Sequence, residues 1–163
     1  AKLYYPDDTI QHAGVVVGLG GVAAHVLCKL PRDAEGYMGR LRCVQEISAV
    51  TAACMMVKTS VFKAVGGFDE ELKVAFNDID LCMKVRKYGV KIVFTPYAEL
   101  YHYESKSRGM EDTPEKQLRF SREVNCFRRK WERELLKVDP YYNPNLTLNN
   151  TDCSLRKQEK NGD

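Results

Sequence analysis

Gly66-Gly67-Phe68-Asp69-Glu70, continued by Phe76-Asn77-Asp78-Ile79-Asp80-Leu81-Cys82, is the stretch whose reading decides the fold of this chain. Paired glycines fit a sharp turn, because glycine alone takes positive φ at little steric cost. Phe68 is placed to plug that turn into a core, with Asp69 and Glu70 facing outward. Asn77 reads as a helix N-cap, and Asp78 and Asp80 fall in the first helical turn, where the macrodipole favours negative charge. Two positions apart on a helix is about 200° of rotation, so the two carboxylates are not aimed at one atom and take separate roles. Further on, His102-Tyr103-Glu104-Ser105 adds an imidazole just after the alternating Ala98-Glu99-Leu100-Tyr101, near the end of a strand.

Working outward, Thr59 or Ser60 caps a short helix through Val65 that Gly66 terminates. Leu81, Cys82, Val85 and Tyr88 keep helical spacing up to Gly89, and Lys91 to Thr95 forms a short strand stopped by Pro96. Upstream, the apolar run Val50 to Val57 predicts a buried strand, and residues 10 to 18 predict another that ends in the Gly18-Leu19-Gly20-Gly21 turn. That glycine cluster lacks a following Lys-Ser/Thr and the dinucleotide spacing, so a plain turn is favoured over a phosphate loop. Residues 22 to 42 read as a surface loop with little regular structure. Thr113-Pro114 opens a long helix on which Phe120, Val124, Phe127, Trp131 and Leu135 form one stripe. Beyond Asp139 the Pro- and Asn-rich segment reads as an extended wrap, and residues 154–163 as a disordered polar tail.

A chain of 163 residues suffices for one domain with its own core, and 25 basic against 22 acidic side chains leave no bulk charge that demands a nucleic-acid partner. Arg119, Arg122, Arg128, Arg129, Lys130 and Arg133 cluster on the long helix among Glu123, Glu132 and Glu134. A solvated face is the plain reading, and a surface toward anionic lipid or lipid-diphosphate acceptors is the alternative. The six cysteines show no paired or metal-finger spacing, which favours reduced thiols over a disulfide framework. No apolar run approaches the roughly 20 residues of a membrane span.

Four ordered segments carry a family resemblance: Ala49-Val50-Thr51-Ala52-Ala53-Cys54, then Val65 to Glu70, then Phe76 to Cys82, then His102 to Gly109. Together they resemble family 2 glycosyltransferases of the GT-A fold, over nearly all of residues 1 to 153. Asp139-Pro140-Tyr141-Tyr142-Asn143-Pro144-Asn145-Leu146-Thr147 also resembles bacterial members that build cell-surface polysaccharides, rhamnosyltransferase-like ones among them. The likeness is to their C-terminal half. The strand-helix nucleotide-binding half, which ends in an Asp-x-Asp metal motif, has no counterpart here, and the neighbours of Asp78-Ile79-Asp80 match the acceptor-side acidic segment instead. The expectation is therefore an α/β chain: a partial GT-A fold, a mixed sheet flanked by helices with its N-terminal nucleotide-binding half missing. Residues 1–153 form the acceptor and catalytic-base part.

The resemblance implies a fragment of an inverting transferase that moves a sugar from a nucleoside-diphosphate donor to a hydroxyl of a glycan or lipid-linked glycan, inactive or nearly so alone. Asp78 is implied as general base, although from the residues alone it could be a helix-start carboxylate. His102 is implied as a late ligand of Mg²⁺ or Mn²⁺ in the full-length enzyme, with no metal bound by the fragment itself. Ser105, Ser107 and Arg108 suit donor diphosphate oxygens, since guanidinium groups bind them through directed pairs of hydrogen bonds. Asp69, Glu70, Asp80 and Trp131 are acceptor or sugar contacts, with turn stabilisation as the alternative for Asp69 and Glu70 and core packing for Trp131. His12 and His25 remain unassigned.

Two other classes stay open: a non-catalytic carbohydrate- or protein-binding module of the same fold, and a metal-dependent hydrolase using Asp78, Asp80 and His102. Absent zinc-type spacing counts against the last. The cytoplasm, at or near the inner face of the membrane, is the expected compartment. A homodimer through an exposed sheet edge, built on the strands of residues 10–18 and 50–57, is the expected assembly.

Overall fold

The computed structural model describes residues 1–103 and 113–157. Among the described residues seven short strands and four α-helices follow in mixed order, and one cluster of buried side chains from Tyr4 to Cys153 forms the core. Strand β1 (Lys2–Tyr4) is central in a three-stranded mixed sheet, antiparallel to β2 (Ile10–His12) and parallel to β7 (Glu99–Tyr101). β3 (Val15–Val17) pairs antiparallel with β4 (Ala23–His25), and β5 (Gln45–Glu46) with β6 (Val93–Phe94). The outer side of β2 is occupied, since the Ile10 N–H donates to Leu30 at 2.8 Å and the Lys29 N–H to Ile10 at 2.7 Å.

The strand expected over residues 10 to 18 is broken in two. Gly14 sits there at φ +111, and a Cβ on it would lie 2.9 Å from Ile47 Cδ1, so glycine is required both for the turn and for the close approach. The expected loop at 22–42 is more ordered than its composition suggests: it supplies β4, a 3-10 turn at Tyr37–Arg42, and the buried Val26, Leu27 and Leu41.

No strand forms at Val50–Val57. Thr51 Oγ1 accepts from the Ala53 N–H at 3.3 Å and folds Ala52–Cys54 into a 3-10 turn, leaving Met56 99% exposed. A threonine followed by small residues offers the backbone this local alternative to a ladder. The self-association expected through that strand therefore loses one of its two supports. The other, β3, is covered by β4, by a bridge to Ala49 and by the buried Asp139 carboxylate, which accepts the Val17 N–H at 2.8 Å.

Helix α1 (Thr59–Ala64) closes in the Gly66-Gly67 turn, which satisfies two carbonyls of its last turn. The Gly66 N–H donates to Lys63 at 3.1 Å and the Gly67 N–H to Phe62 at 2.9 Å, with φ +79 and +64 at the two glycines. Phe68 does not enter the core; it is 46% exposed and packs edge-on against Phe62. Helix α2 (Asn77–Lys87) starts after Phe76, which takes the left-handed conformation at φ 63, and the Asn77 side chain accepts the Asp78 N–H at 2.7 Å. Gly89 ends α2 in the same manner as Gly66-Gly67 ends α1, with the Val90 N–H reaching Val85 at 3.2 Å.

Helix α3 (Pro114–Lys130) begins as its cap predicts, Thr113 Oγ1 accepting the Lys116 N–H at 3.4 Å, and gives way at Trp131 to the short α4 (Glu132–Leu135). Its stripe buries Phe127 and Trp131 fully and leaves Phe120 43% exposed. The segment after Asp139 wraps the molecule as expected: Gly20 donates to Leu148 at 2.8 Å and Leu27 to Thr151 at 2.6 Å. Residues expected in the tail take part, since Leu155 bridges Leu146 and the Arg156 N–H donates to Asn145 at 2.8 Å. All six cysteines are free thiols. Among the described residues no helix is long and apolar enough to cross a membrane.

Candidate functional site

Asp78 occupies the start of α2, half-buried, where unpaired N–H groups favour a carboxylate. Its Oδ1 accepts from the Ile79 N–H at 2.8 Å and its Oδ2 from the Ala52 N–H at 3.1 Å. The turn that supplies Ala52 rests on a histidine: the Thr51 N–H points at His12 Nε2, 3.4 Å away. An accepting Nε2 leaves the ring proton on Nδ1, which faces His25 Nδ1 at 3.1 Å. Burial pushes His12 well below its ordinary pKa, helped by the neighbouring His25 and the N-terminal amine, so the ring is neutral. A buried neutral imidazole thus underlies the turn that orients Asp78.

His102 follows β7, and its N–H extends the β1 ladder to Tyr4 at 3.0 Å. Gln11 grips it twice, Nε2 donating to the His102 carbonyl at 3.2 Å and Oε1 lying 2.8 Å from ring Nδ1. Because the amide nitrogen is turned to the carbonyl, the oxygen faces the ring and must accept. The proton therefore sits on His102 Nδ1, and Nε2 is the basic nitrogen. Gln11 and His12 are neighbours on β2, so one strand holds His102 directly and Asp78 through Thr51-Ala52.

The second group of expected site residues converges elsewhere. Asp80 is 0% exposed, and its Oδ1 receives the Trp131 indole N–H at 2.8 Å and Lys130 Nζ at 2.8 Å. Lys84 Nζ lies 3.2 Å from Oδ2 in an ionic contact without hydrogen-bond geometry, its donor being directed to the Gly67 carbonyl at 2.5 Å. Lys130 also pairs with Asp69, whose Oδ1 accepts the Glu71 N–H at 3.0 Å. The Lys130 hydrogen bond holds the Asp69 carboxyl below its ordinary range. Burial works against the Lys130 charge, but the bonds to Asp69 and Asp80 more than offset it and keep the ammonium above its ordinary value.

The structure therefore brings Asp69, Asp80 and Trp131 together as a buried tie between the glycine turn, α2 and α3. Asp69 is turned inward to Lys130 and not outward as its turn position suggested, whereas Glu70 is exposed. Asp80 is fully enclosed and Trp131 is 2% exposed, and for Trp131 this burial corresponds to the core-packing alternative. Ser105, Ser107 and Arg108 lie outside the described residues.

Sequence reasoning placed Glu123 and Lys130 on a solvated face; Lys130 is exposed, with its ammonium on Asp69 and Asp80, and Glu123 is where the structure differs. Glu123 is 3% exposed, and its carboxylate takes the Val74 N–H at 3.1 Å and the Ala75 N–H at 2.9 Å. With Cys126 Sγ 3.2 Å from Glu71 and Lys130 on Asp69, one face of α3 stitches the loop that leads into Asp78. The i, i+4 spacing of Asp80 and Lys84 was visible in the sequence. The partners on α3 were not. Among the described residues no three His, Cys, Asp or Glu side chains gather as a metal site.

Over 156 residues, 95% of this chain, the sequence is 59% identical to the uncharacterized protein y4gI of Sinorhizobium fredii. Over 163 residues, 99% of the chain, it is 38% identical to the O-antigen biosynthesis protein RfbC of Myxococcus xanthus. A shorter stretch of 62 residues is 36% identical to the N-acetylglucosaminyl-diphospho-decaprenol L-rhamnosyltransferase of Mycobacterium tuberculosis. The chain spans 17%, 12% and 20% of the lengths of these three relatives. No family model and no solved structure matches it.

Proposed function

We propose that this chain is part of an inverting glycosyltransferase of the GT-A type, one that transfers a sugar from a nucleoside diphosphate to a hydroxyl of a growing cell-surface glycan. The observation that carries the reading is the 38% identity to an O-antigen biosynthesis protein along 99% of the chain, combined with a half-buried Asp78 held from two sides by backbone N–H groups. Similarity to a rhamnosyltransferase over 62 residues supports a deoxy-sugar donor of that kind.

In this proposal Asp78 is the general base. The acceptor oxygen attacks the anomeric carbon as the bond from that carbon to the diphosphate oxygen breaks, and the acceptor proton passes to the Asp78 carboxylate. A positioned base of this kind contributes on the order of 10²–10⁴ in rate. The Ile79 and Ala52 N–H groups fix the carboxylate rotamer, so little reorganisation precedes proton transfer. His102 fits the role of a ligand for Mg²⁺ or Mn²⁺, since Gln11 holds its Nδ1 proton and leaves Nε2 as the lone-pair nitrogen, an arrangement common to metal-binding histidines. A bound divalent ion would supply charge neutralisation at the leaving diphosphate. Asp80 and Trp131 act at a distance, keeping α2 seated so that the Asp78 end of the helix stays in place.

Self-association is retained on a different strand. β7 pairs with β1 on one side, and all three of its residues are exposed, so among the described residues its outer edge is suited to another chain. The proposal as a whole is tested by screening the full-length protein for donor hydrolysis and transfer with several nucleoside-diphosphate sugars. Turnover of one or more donors that depends on a glycan acceptor is expected. Donor binding without any turnover would assign the chain to the carbohydrate-binding alternative.

A further inference from the structure

At the far end of α2 from Asp78, about 12 Å along the helix axis at 1.5 Å per residue, lies a cavity of 510 Å³ between the last turn of α2 and the segment Lys137–Tyr141. Its volume is in the range of sites for small molecules, about 300–1,000 Å³. Arg86 is half-buried in its wall. One guanidinium nitrogen donates to Ser48 Oγ at 3.0 Å, and the group lies 5.3 Å from the Tyr141 ring centre. Ser48 is itself 1% exposed, so the arginine is anchored to a buried hydroxyl and not adrift on the surface.

The charge balance of the cavity decides what it can hold. Its acidic residues are committed: Glu134 to Lys87 at 2.8 Å, and Asp139 to the Val17 and Tyr141 N–H groups at 2.8 and 2.9 Å. Lys91 is committed to Glu46. Among the described residues Arg86 makes no ion pair, and Lys137 acts on Glu134 only from beyond ion-pair distance. The negative end of α2 also faces this region, but Lys84, Arg86 and Lys87 in its last turn offset it. A half-buried guanidinium whose partners among the described residues are a neutral hydroxyl and an aromatic ring keeps several donors in a fixed fork, which suits a carboxylate or phosphate.

We propose that this cavity binds an oxyanion carried on a sugar, with Arg86 and Lys137 holding the anionic group and Tyr141 forming the wall beside it. The anion specificity stands on the cavity alone; the sugar rests on the glycosyltransferase reading above. The site is distinct from Asp78 and would hold an acidic residue of the glycan, or a sugar phosphate, away from the transfer site.

Trp131, the only tryptophan, lines this cavity and gives a direct readout. The chain is titrated with glucuronate, glucose 1-phosphate, inorganic phosphate and glucose, followed by tryptophan fluorescence and calorimetry. A saturable, single-site response to one or both acidic sugars and none to glucose is expected, the tighter of the two identifying carboxylate or phosphate as the group recognised. Arg86→Gln should weaken it about tenfold or more, the size of a lost charge-assisted hydrogen bond. Lys137→Gln, at an exposed position where folding is not at risk, should weaken it in the same direction, and Arg122→Gln on the outside of α3 should leave it unchanged. No saturation with either acidic sugar, or equal binding by Arg86→Gln and Lys137→Gln, overturns the site. Inorganic phosphate binding as tightly as both acidic sugars overturns the sugar part. Asp78→Asn should leave this binding intact, so failure here and failure of the transfer reading are told apart.

Discussion

Trp131 donates its indole N–H to Asp80 Oδ1 at 2.8 Å, and both side chains are buried. With Lys130 on the same oxygen and Lys84 beside the other, this carboxylate joins α3 to α2 and to the glycine turn. A charge so enclosed is tolerated only while its partners remain, and removing one side of a buried pair costs about 3–5 kcal/mol. Asp80→Ala leaves the buried Trp131 indole N–H without an acceptor and is expected to lose about 1–3 kcal/mol in urea unfolding, and Trp131→Phe about 1.5–3 kcal/mol for the bond to a charged acceptor. Losses below about 1 kcal/mol in both would show that the network is not what seats α2.

Glu123 is expected to control the loop before Asp78. Glu123→Ala removes the acceptor of the Val74 and Ala75 N–H groups, so those two amides should exchange with deuterium faster by an order of magnitude or more, while Phe127 and its neighbours in α3 stay protected. Unchanged exchange at Val74 and Ala75 would mean that the loop is held by other contacts.

Acid should act through His12. Its pKa is lowered in the folded chain, so the unfolded chain binds more protons below the ordinary value of 6.5. The contribution to stability is fully present above pH 6.5 and is lost as the pH falls from there through the folded value. Thermal melts across pH 7.5 to 5 should show the decline, and His12→Gln, whose amide oxygen can still accept the Thr51 N–H, should flatten it. Asp69 adds a second, lower window: its depressed pKa stabilises above the ordinary 3.8 and is lost below it. A His12→Gln profile identical to the parent between pH 7.5 and 5 would assign the decline to another group.

Some of this architecture was open to sequence reasoning and some was not. The Thr113-Pro114 start of α3 and the glycine ends of α1 and α2 were legible because a few adjacent residues decide them. The run Val50–Val57 misled because apolarity alone does not separate a strand from a turn, and the Thr51 hydroxyl chose the turn. Asp78 and Asp80 diverge as their spacing required. The Asp80 partners on α3, the Glu123 grip on the loop, and the support of Asp78 by His12 through Thr51 link residues far apart in the chain, and no local pattern announces them.

The most direct test of the glycosyltransferase reading is sugar transfer by the full-length protein carrying Asp78→Asn, measured beside donor binding. The amide keeps the size and part of the hydrogen bonding of the carboxylate but cannot take the acceptor proton. The expected result is a fall in kcat of about 10²-fold or more with donor affinity nearly unchanged. Transfer at more than about a tenth of the parent rate would contradict the assignment of Asp78 as the base.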